Sequence, residues 1–151
     1  MKKIIFSILN LLLIISCALE SKFGLPNDEK VNKNLIDVWY LFDNKKDSLI
    51  INKKTDFIYE IILSDEKEII QGYTKEIKGF TIMNLIVDGA KGKKINVFYG
   101  VKIKNDTLEF SEVSDKIRKT EFDSQKELIS FFEKNITRSD FFINPLQLIR
   151  K

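Results

Sequence analysis

The stretch Lys94-Ile95-Asn96-Val97-Phe98-Tyr99-Gly100-Val101-Lys102-Ile103-Lys104 alternates apolar and polar side chains, and only Phe98 interrupts the polar positions. Successive side chains of a β-strand point to opposite faces of the sheet. The pattern therefore predicts a strand over residues 93–104 with one face in a core and the other in water. Asn105-Asp106 then offers a tight turn into Thr107-Leu108-Glu109-Phe110-Ser111, which alternates in the same way. Together the two segments predict an antiparallel hairpin.

Short apolar runs rich in Ile, Val, Phe and Tyr, separated by a few polar residues, fill the chain from Leu35 onward. This spacing is typical of strands joined by hairpins, which make an antiparallel meander. The predicted strands are 36–43, 47–53, 56–64, 67–77, 79–88, 93–104 and 107–113. Residues 36–42 and 80–87 are apolar on both faces, so we expect another element to cover each of these two strands.

A single helix is predicted after the last of these strands. Ser124-Gln125-Lys126-Glu127 has the capping-box pattern, in which a hydroxyl and a carboxylate satisfy free backbone donors. Apolar residues at helical spacing follow, so we expect a helix over 125–135 that lies on the sheet. The segment 137–151 contains Phe141-Phe142-Ile143 and is expected to dock on the domain or to add an edge strand.

These elements predict a mainly β domain with one C-terminal helix, folded as an antiparallel meander that forms a barrel or a strongly bent sheet. An α+β fold, an open antiparallel sheet with the helix on one face, is the alternative. Val38-Trp39-Tyr40 in the first strand, the turn Lys104-Asn105-Asp106-Thr107-Leu108 and the helix after Ser124 resemble the lipocalin-like domains of many bacterial lipoproteins. That resemblance implies a barrel or strongly bent sheet with an apolar cup. Trp39 is expected to be buried in the core.

The N-terminal residues are predicted to form a secretion signal. Lys2 and Lys3 precede an apolar run, Ile4 to Ile15, that is too short to span a bilayer comfortably. Ile14-Ile15-Ser16-Cys17 resembles the lipobox of bacterial lipoproteins. In that family the residue matching Cys17 receives a diacylglycerol thioether, the signal is cut before it, and its new amino group is usually acylated. The resemblance implies a lipid anchor at Cys17, which needs more than one acyl chain for stable binding.

The signal defines the remaining organisation of the chain. We expect residues 1–16 to be a signal peptide, 17–34 to be a lipidated flexible tether, and 35–151 to be a single β-rich domain. Ala18 to Asn34 contains Gly24, Pro26 and a polar cluster, and is predicted to have little fixed structure. The protein is then expected in the cell envelope, at the outer membrane rather than the inner one, with the side of that membrane left open.

Composition excludes several classes of function. Removing residues 1–16 from the 151 leaves 135, lowers Lys plus Arg from 25 to 23 against 22 acidic residues, and reduces the net charge from +3 to +1. Because the lysines are interleaved with acids, we do not expect nucleic-acid binding. The chain has no histidine and its one cysteine is Cys17, so a hydrolase with a serine–histidine or cysteine–histidine pair is excluded. No metal or cofactor is expected.

Three stretches that suggest chemistry have plainer interpretations. Gly89-Ala90-Lys91-Gly92-Lys93-Lys94 lacks the spacing of a phosphate loop and is predicted to be a hairpin loop. Asp65-Glu66-Lys67-Glu68 lacks the spaced ligands of a cation site and is predicted to be a solvated hairpin tip. Glu109 and Glu112 lie at an odd separation on one strand, which places them on opposite faces. If the protein were an enzyme, the first acids to consider would be Glu60, Glu76 and Glu109.

We therefore expect a non-catalytic, lipid-anchored binding module that holds a small apolar ligand or an envelope component. The alternative is a protein–protein interaction or inhibitor/immunity-type lipoprotein, and an enzyme ranks last. Aromatic residues in strands are first of all core formers, but they are also the candidates for lining an apolar cup. These candidate ligand contacts are Trp39, Tyr59, Tyr73, Tyr99 and Phe110.

Overall fold

The computed structural model describes residues 18–64, 69–117 and 119–150. The strands are β1 (Leu19–Ser21), β2 (Asp37–Leu41), β3 (Ser48–Lys53), β4 (Tyr59–Leu63), β5 (Ile69–Ile77), β6 (Phe80–Asp88), β7 (Lys94–Lys104), β8 (Thr107–Val113) and β9 (Phe142–Ile149). The helix α1 covers Gln125–Asn135, and two short 3-10 turns lie at Lys33–Leu35 and Ala90–Gly92. The seven predicted strands and the predicted helix are therefore confirmed.

Strands β2 to β9 form a closed barrel of eight antiparallel strands, in which each strand pairs with the next one along the chain. The ring closes where β9 pairs with β2, through Tyr40 opposite Ile149 and Leu41 opposite Leu148. The mainly β prediction is confirmed. Closure of the ring excludes the open-sheet alternative.

Strand β9 is the closing strand rather than an edge strand or a docked tail, so the expectation for 137–151 is wrong in this respect. It pairs with β8 on one side and β2 on the other. The pairing with β8 shifts register between Phe110 and Glu112, opposite Asn144 and Pro145. Proline has no N–H to donate and is tolerated at such irregularities. Asn144 and Pro145 are residue types that are rare in strands, so the sequence of this segment did not indicate one.

Residues 18–36, which we call the N-terminal strap, contradict the prediction of little fixed structure. Its strand β1 lies outside the barrel and pairs with β7, with Leu19 opposite Phe98. Leu19 and Leu25 are 0% and 2% exposed. Burying each such side chain is worth about 1.5–3 kcal/mol and contributes to holding the strap against the barrel.

Two hydrophobic cores lie on the two sides of the barrel wall. The interior cluster fills the barrel, whereas the outer cluster joins the outer faces of β5, β6 and β7 to α1 and to the strap. From α1, the fully buried Leu128 and Phe132 enter the outer cluster. Phe142 packs against Gly100 so closely that a Cβ at that glycine would lie 2.6 Å from the ring. The helix therefore lies on the barrel, as predicted.

The N-terminus of α1 is capped much as its sequence predicts. The Ser124 hydroxyl accepts a hydrogen bond from the Glu127 N–H at 3.1 Å. The Glu127 carboxylate accepts from the Asp123 N–H at 2.7 Å, one residue before the position that a capping box uses.

Within the described ranges, no helix is long and apolar enough to cross a membrane.

One end of the barrel is covered by the strap. Leu35, in the 3-10 turn Lys33–Leu35, is 1% exposed and belongs to the interior cluster. The indole N–H of Trp39 donates to the Leu35 carbonyl at 2.9 Å. The predicted burial of Trp39 is confirmed, at 0% exposure. We call this the covered end of the barrel.

Candidate functional site

The barrel interior holds four of the five aromatic residues proposed as ligand contacts. Trp39 and Tyr59 are 0% exposed and Tyr99 is 2% exposed, while Phe110 packs edge-on against Tyr99 with ring centres 6.2 Å apart. The Tyr59 hydroxyl accepts from the Asn32 backbone N–H at 2.5 Å. Their aromatic surfaces are thus in contact with the core of the protein, and their role as ligand contacts stays a prediction.

The fifth candidate, Tyr73, lies on the other side of the wall. Tyr73 was expected to line the barrel interior, but it belongs to the outer cluster, so this expectation is wrong. Its hydroxyl donates to the Leu25 carbonyl at 2.7 Å, and burial raises the pKa of Tyr73 to about 12. The Leu25 N–H donates to the side-chain oxygen of Asn84, which is 0% exposed. Tyr73 therefore holds the strap in place.

Glycine is required where the strap crosses these groups. A Cβ at Gly24 would collide with the Tyr73 hydroxyl and would lie 2.9 Å from the Asn96 side-chain oxygen. Asn84 donates to that same Asn96 oxygen at 2.9 Å, and the Gln125 amide of α1 donates to the Gly24 carbonyl at 2.8 Å. We call Tyr73, Asn84 and Asn96 the strap clamp. They come from three adjacent strands, β5, β6 and β7.

The opposite outer wall carries an exposed apolar surface. Val38 lies opposite Ile50, Ile50 opposite Ile62, and Ile62 opposite Ile69, on the adjacent strands β2 to β5. We call these four residues the aliphatic row. They alternate with interior residues of the same strands, so they face outward. Val38, Ile50 and Ile62 are half-buried, and Ile69 is 54% exposed.

Polar side chains border the aliphatic row on both sides. Asn52, Glu60 and Gln71 are opposite one another in the row of outward positions towards the covered end of the barrel. Tyr40 and Ser48 are opposite one another on the other side. A contiguous apolar patch inside a polar border is the usual composition of a protein-binding surface.

Another element was expected to cover the outer face of both β2 and β6, and this expectation is correct only for β6. β6 is covered as predicted, because Ile82 and Asn84 on its outer face are 0% exposed beneath the outer cluster and the strap. The outer face of β2, with Val38 and Tyr40, remains half-exposed. The second apolar face that the sequence shows in this strand is therefore a surface.

The acidic residues considered for catalysis are spread over the barrel. Glu60 lies on β4 and Glu76 on β5, where the Glu76 backbone N–H donates to Glu29. Glu109 accepts from Gln147, whereas Glu112 accepts from Asn144. In the three described segments, no group of three His, Cys, Asp or Glu residues could hold a metal ion.

The remaining motifs have simple outcomes. In the stretch Gly89 to Lys94, residues 89–93 connect β6 to β7 with a 3-10 turn at Ala90–Gly92, and Lys94 begins β7, which confirms the hairpin-loop interpretation. Cys17, with the rest of 1–17, and Asp65 to Glu68 lie outside the described residues.

Sequence reasoning missed both the aliphatic row and the strap clamp. The row could have been found from its signal, since Ile50, Ile62 and Ile69 each interrupt or extend an alternating pattern with a second apolar face. The clamp had no local signal, because its members reach the strap from distant strands.

Comparisons with known proteins found no matching protein-family model, no matching curated protein and no matching solved structure.

Proposed function

We propose that this protein is a lipid-anchored lipoprotein of the cell envelope whose barrel is a non-catalytic binding module, and that it binds a protein partner through the aliphatic row. The observation that carries the proposal is the direct register of Val38, Ile50, Ile62 and Ile69 on the outer wall. Four aliphatic side chains side by side offer a partner a dry contact, and the polar border supplies hydrogen bonds around it.

The packing of the interior favours this outer surface over a deep cup. Trp39, Ile51, Tyr59, Met83 and Val97 are all 0% exposed, so the middle of the barrel and its covered end are occupied by the protein's own side chains. A ligand there would have to displace packed aromatic rings. A pocket for a drug-sized ligand usually has several hundred Å³ of space.

A small apolar ligand at the other end of the barrel is the second candidate. Leu41 and Val87 pack against the interior cluster yet are half-buried, and Ile95, opposite Val87, is half-buried as well. Phe42, which follows β2 at this end, is 67% exposed. These side chains offer a shallow apolar contact for a ligand that does not enter the barrel.

The anchor and the lipocalin-like assignment belong to the same proposal. The apolar run that ends in Ser16-Cys17 supports cleavage and acylation at Cys17, and hence a place at the outer membrane. A barrel of eight antiparallel strands with Trp39 in its first strand supports a lipocalin-like domain.

The test is co-purification from the protein's own host. The barrel without the anchor, starting at Ala18, is recovered as the unchanged chain and as two variants, Ile62→Lys in the aliphatic row and Ser130→Lys on the exposed face of α1. We expect one protein to co-purify in stoichiometric amount with the unchanged chain and with Ser130→Lys, and to be lost with Ile62→Lys.

Circular dichroism first establishes that both variants fold. Equal recovery of the partner with the two variants would place the contact elsewhere and overturn the proposal. An extracted apolar small molecule, in place of a protein, would favour the second candidate.

A further inference from the structure

The position of Ala18, the first described residue, limits how far a lipid on Cys17 could lie from the barrel. Ser111 of β8 pairs with Gly100 of β7, and Leu19 of β1 pairs with Phe98 of the same strand. β1 thus continues along the edge of β7 beyond the last residue that β8 pairs there. Ala18 lies at this fork, is 5% exposed and belongs to the interior cluster. The first described residue therefore lies at the side wall of the barrel rather than at one of its ends.

This position of Ala18 leaves no flexible residues between a lipid on Cys17 and the barrel. Cys17 is bonded directly to Ala18, so their Cα atoms are about 3.8 Å apart. The strap after Ala18 cannot serve as a spacer while the strap clamp holds it, with Tyr73 and Asn84 hydrogen-bonded to Leu25. A membrane that holds a lipid on Cys17 must therefore lie close to the wall in which Ala18 is buried.

We propose that the anchored barrel lies on its side against the lipid surface, with the uncovered part of the β7–β8 wall, around Lys102 and Lys104, towards the membrane and the aliphatic row pointing away from it. This inference rests on the proposed anchor at Cys17. In a ring of eight strands, β3 lies four strands from β7 in either direction and is therefore directly opposite. The aliphatic row spans β2 to β5 and is centred on that opposite side.

The chemistry of the β7–β8 wall suits phospholipid headgroups. A shallow groove of about 280 Å³ lies there, lined by Lys102, Lys104, Asn105, Thr107, Glu109 and Gln147. Lys102 and Lys104 are exposed, and their ammonium groups can meet headgroup phosphates. The aliphatic row is left free for a partner that approaches from the aqueous side.

Fluorescence quenching measures this orientation. The full chain is produced in a bacterium that acylates lipoproteins, and is reconstituted in phosphatidylethanolamine–phosphatidylglycerol vesicles that contain a lipid with a nitroxide headgroup. A fluorophore is attached to a second cysteine, either Lys102→Cys on β7 or Asn52→Cys on β3. Both sites are exposed, and the acylated Cys17 sulfur does not react with the label.

A control variant carries a twelve-residue Gly/Ser linker between Cys17 and Ala18, whose root-mean-square span is about 20 Å. We expect several-fold stronger quenching at residue 102 than at residue 52, and loss of that difference in the linker variant. Equal quenching at the two positions, or stronger quenching at 52, would overturn the orientation while leaving the anchor intact. Mass spectrometry of the peptide that contains Cys17 separates the two claims, because an unmodified Cys17 overturns the anchor and the orientation together.

Discussion

The guanidinium of Arg150 lies over the indole ring of Trp39, 5.2 Å from the ring centre. Arg150 directly follows the closing strand β9, and Trp39 is at the centre of the first barrel strand β2. The same guanidinium forms an ion pair with Asp106 in the β7–β8 turn at 3.0 Å, and donates to the backbone carbonyls of Asn105 and Asn34. One side chain therefore joins the closing seam, a hairpin turn and the strap at the covered end of the barrel.

Trp39→Ala should destabilise the barrel by about 3–5 kcal/mol, because it empties the position of a fully buried indole and removes its hydrogen bond to Leu35. The urea midpoint measures this loss. Phe42→Ala is the matched control, since Phe42 is 67% exposed and should change stability by less than about 0.5 kcal/mol. Similar midpoints for the two variants would show that Trp39 is not part of the core.

Arg150→Gln should cost about 1–2 kcal/mol, through loss of the contact with Trp39 and of the hydrogen bonds at the covered end. Arg138→Gln is the control. Arg138 forms an exposed ion pair with Asp140, and such pairs contribute little. Arg150→Lys should restore only part of the stability, because lysine lacks the planar fork. Equal unfolding curves for Arg150→Gln and Arg138→Gln would show that Arg150 does not stabilise the covered end of the barrel.

Asn84→Ala should loosen the strap without opening the barrel. The substitution leaves the buried Leu25 N–H without its acceptor, and an unpaired buried donor costs about 1–3 kcal/mol. Amide hydrogen exchange at Leu25 should accelerate, while exchange in β3 and β4 stays slow. Asn52→Ala, on an exposed part of β3, should leave exchange at Leu25 unchanged. Unchanged exchange at Leu25 in Asn84→Ala would mean that the clamp does not hold the strap.

Stability should fall between pH 10 and pH 12, in part because of Tyr73. Burial raises the pKa of its hydroxyl from 10.0 to about 12, so the folded chain holds this proton more tightly than the unfolded chain. The resulting stabilisation is complete below pH 10 and is lost as the pH rises towards 12. Burial raises the pKa of Tyr59 as well, so Tyr73→Phe should make the loss less steep without abolishing it.

The measurement is the urea midpoint as a function of pH in the unchanged chain and in Tyr73→Phe. An identical pH dependence in the two would show that Tyr73 is solvated in the folded state.

The strands of the barrel could be predicted because their signal is local. The alternation over Lys94 to Lys104 places Val97, Tyr99 and Val101 inside the barrel, as the pattern indicated. The same reasoning does not assign a face to Tyr73. The three consecutive residues Gly72, Tyr73 and Thr74 are all buried, because the interior cluster and the outer cluster cover the two faces of β5. Where both faces of a strand are buried, apolar and polar residues do not alternate, so the sequence does not show which face a residue occupies.

The strap could not be predicted because its partners are far away in the sequence. Leu25 bonds to Tyr73, 48 residues later, and to Asn84, 59 residues later. Its polar and glycine-containing composition is typical of disorder when considered alone. The aliphatic row differs in this respect. Its residues show a local signal, a second apolar face, but Val38, Ile50, Ile62 and Ile69 become neighbours only through the register of four strands.

The most direct test of the central claim is site-specific photo-crosslinking in living cells of the host. A photoreactive phenylalanine analogue is placed at Ile62, within the aliphatic row, or at Lys102 on the opposite wall, in the full-length chain. We expect illumination to yield one discrete covalent adduct with a protein at position 62, and the same adduct to be absent at position 102. An absence of adducts at 62, or the same adduct at both positions, would contradict a protein partner bound to the aliphatic row.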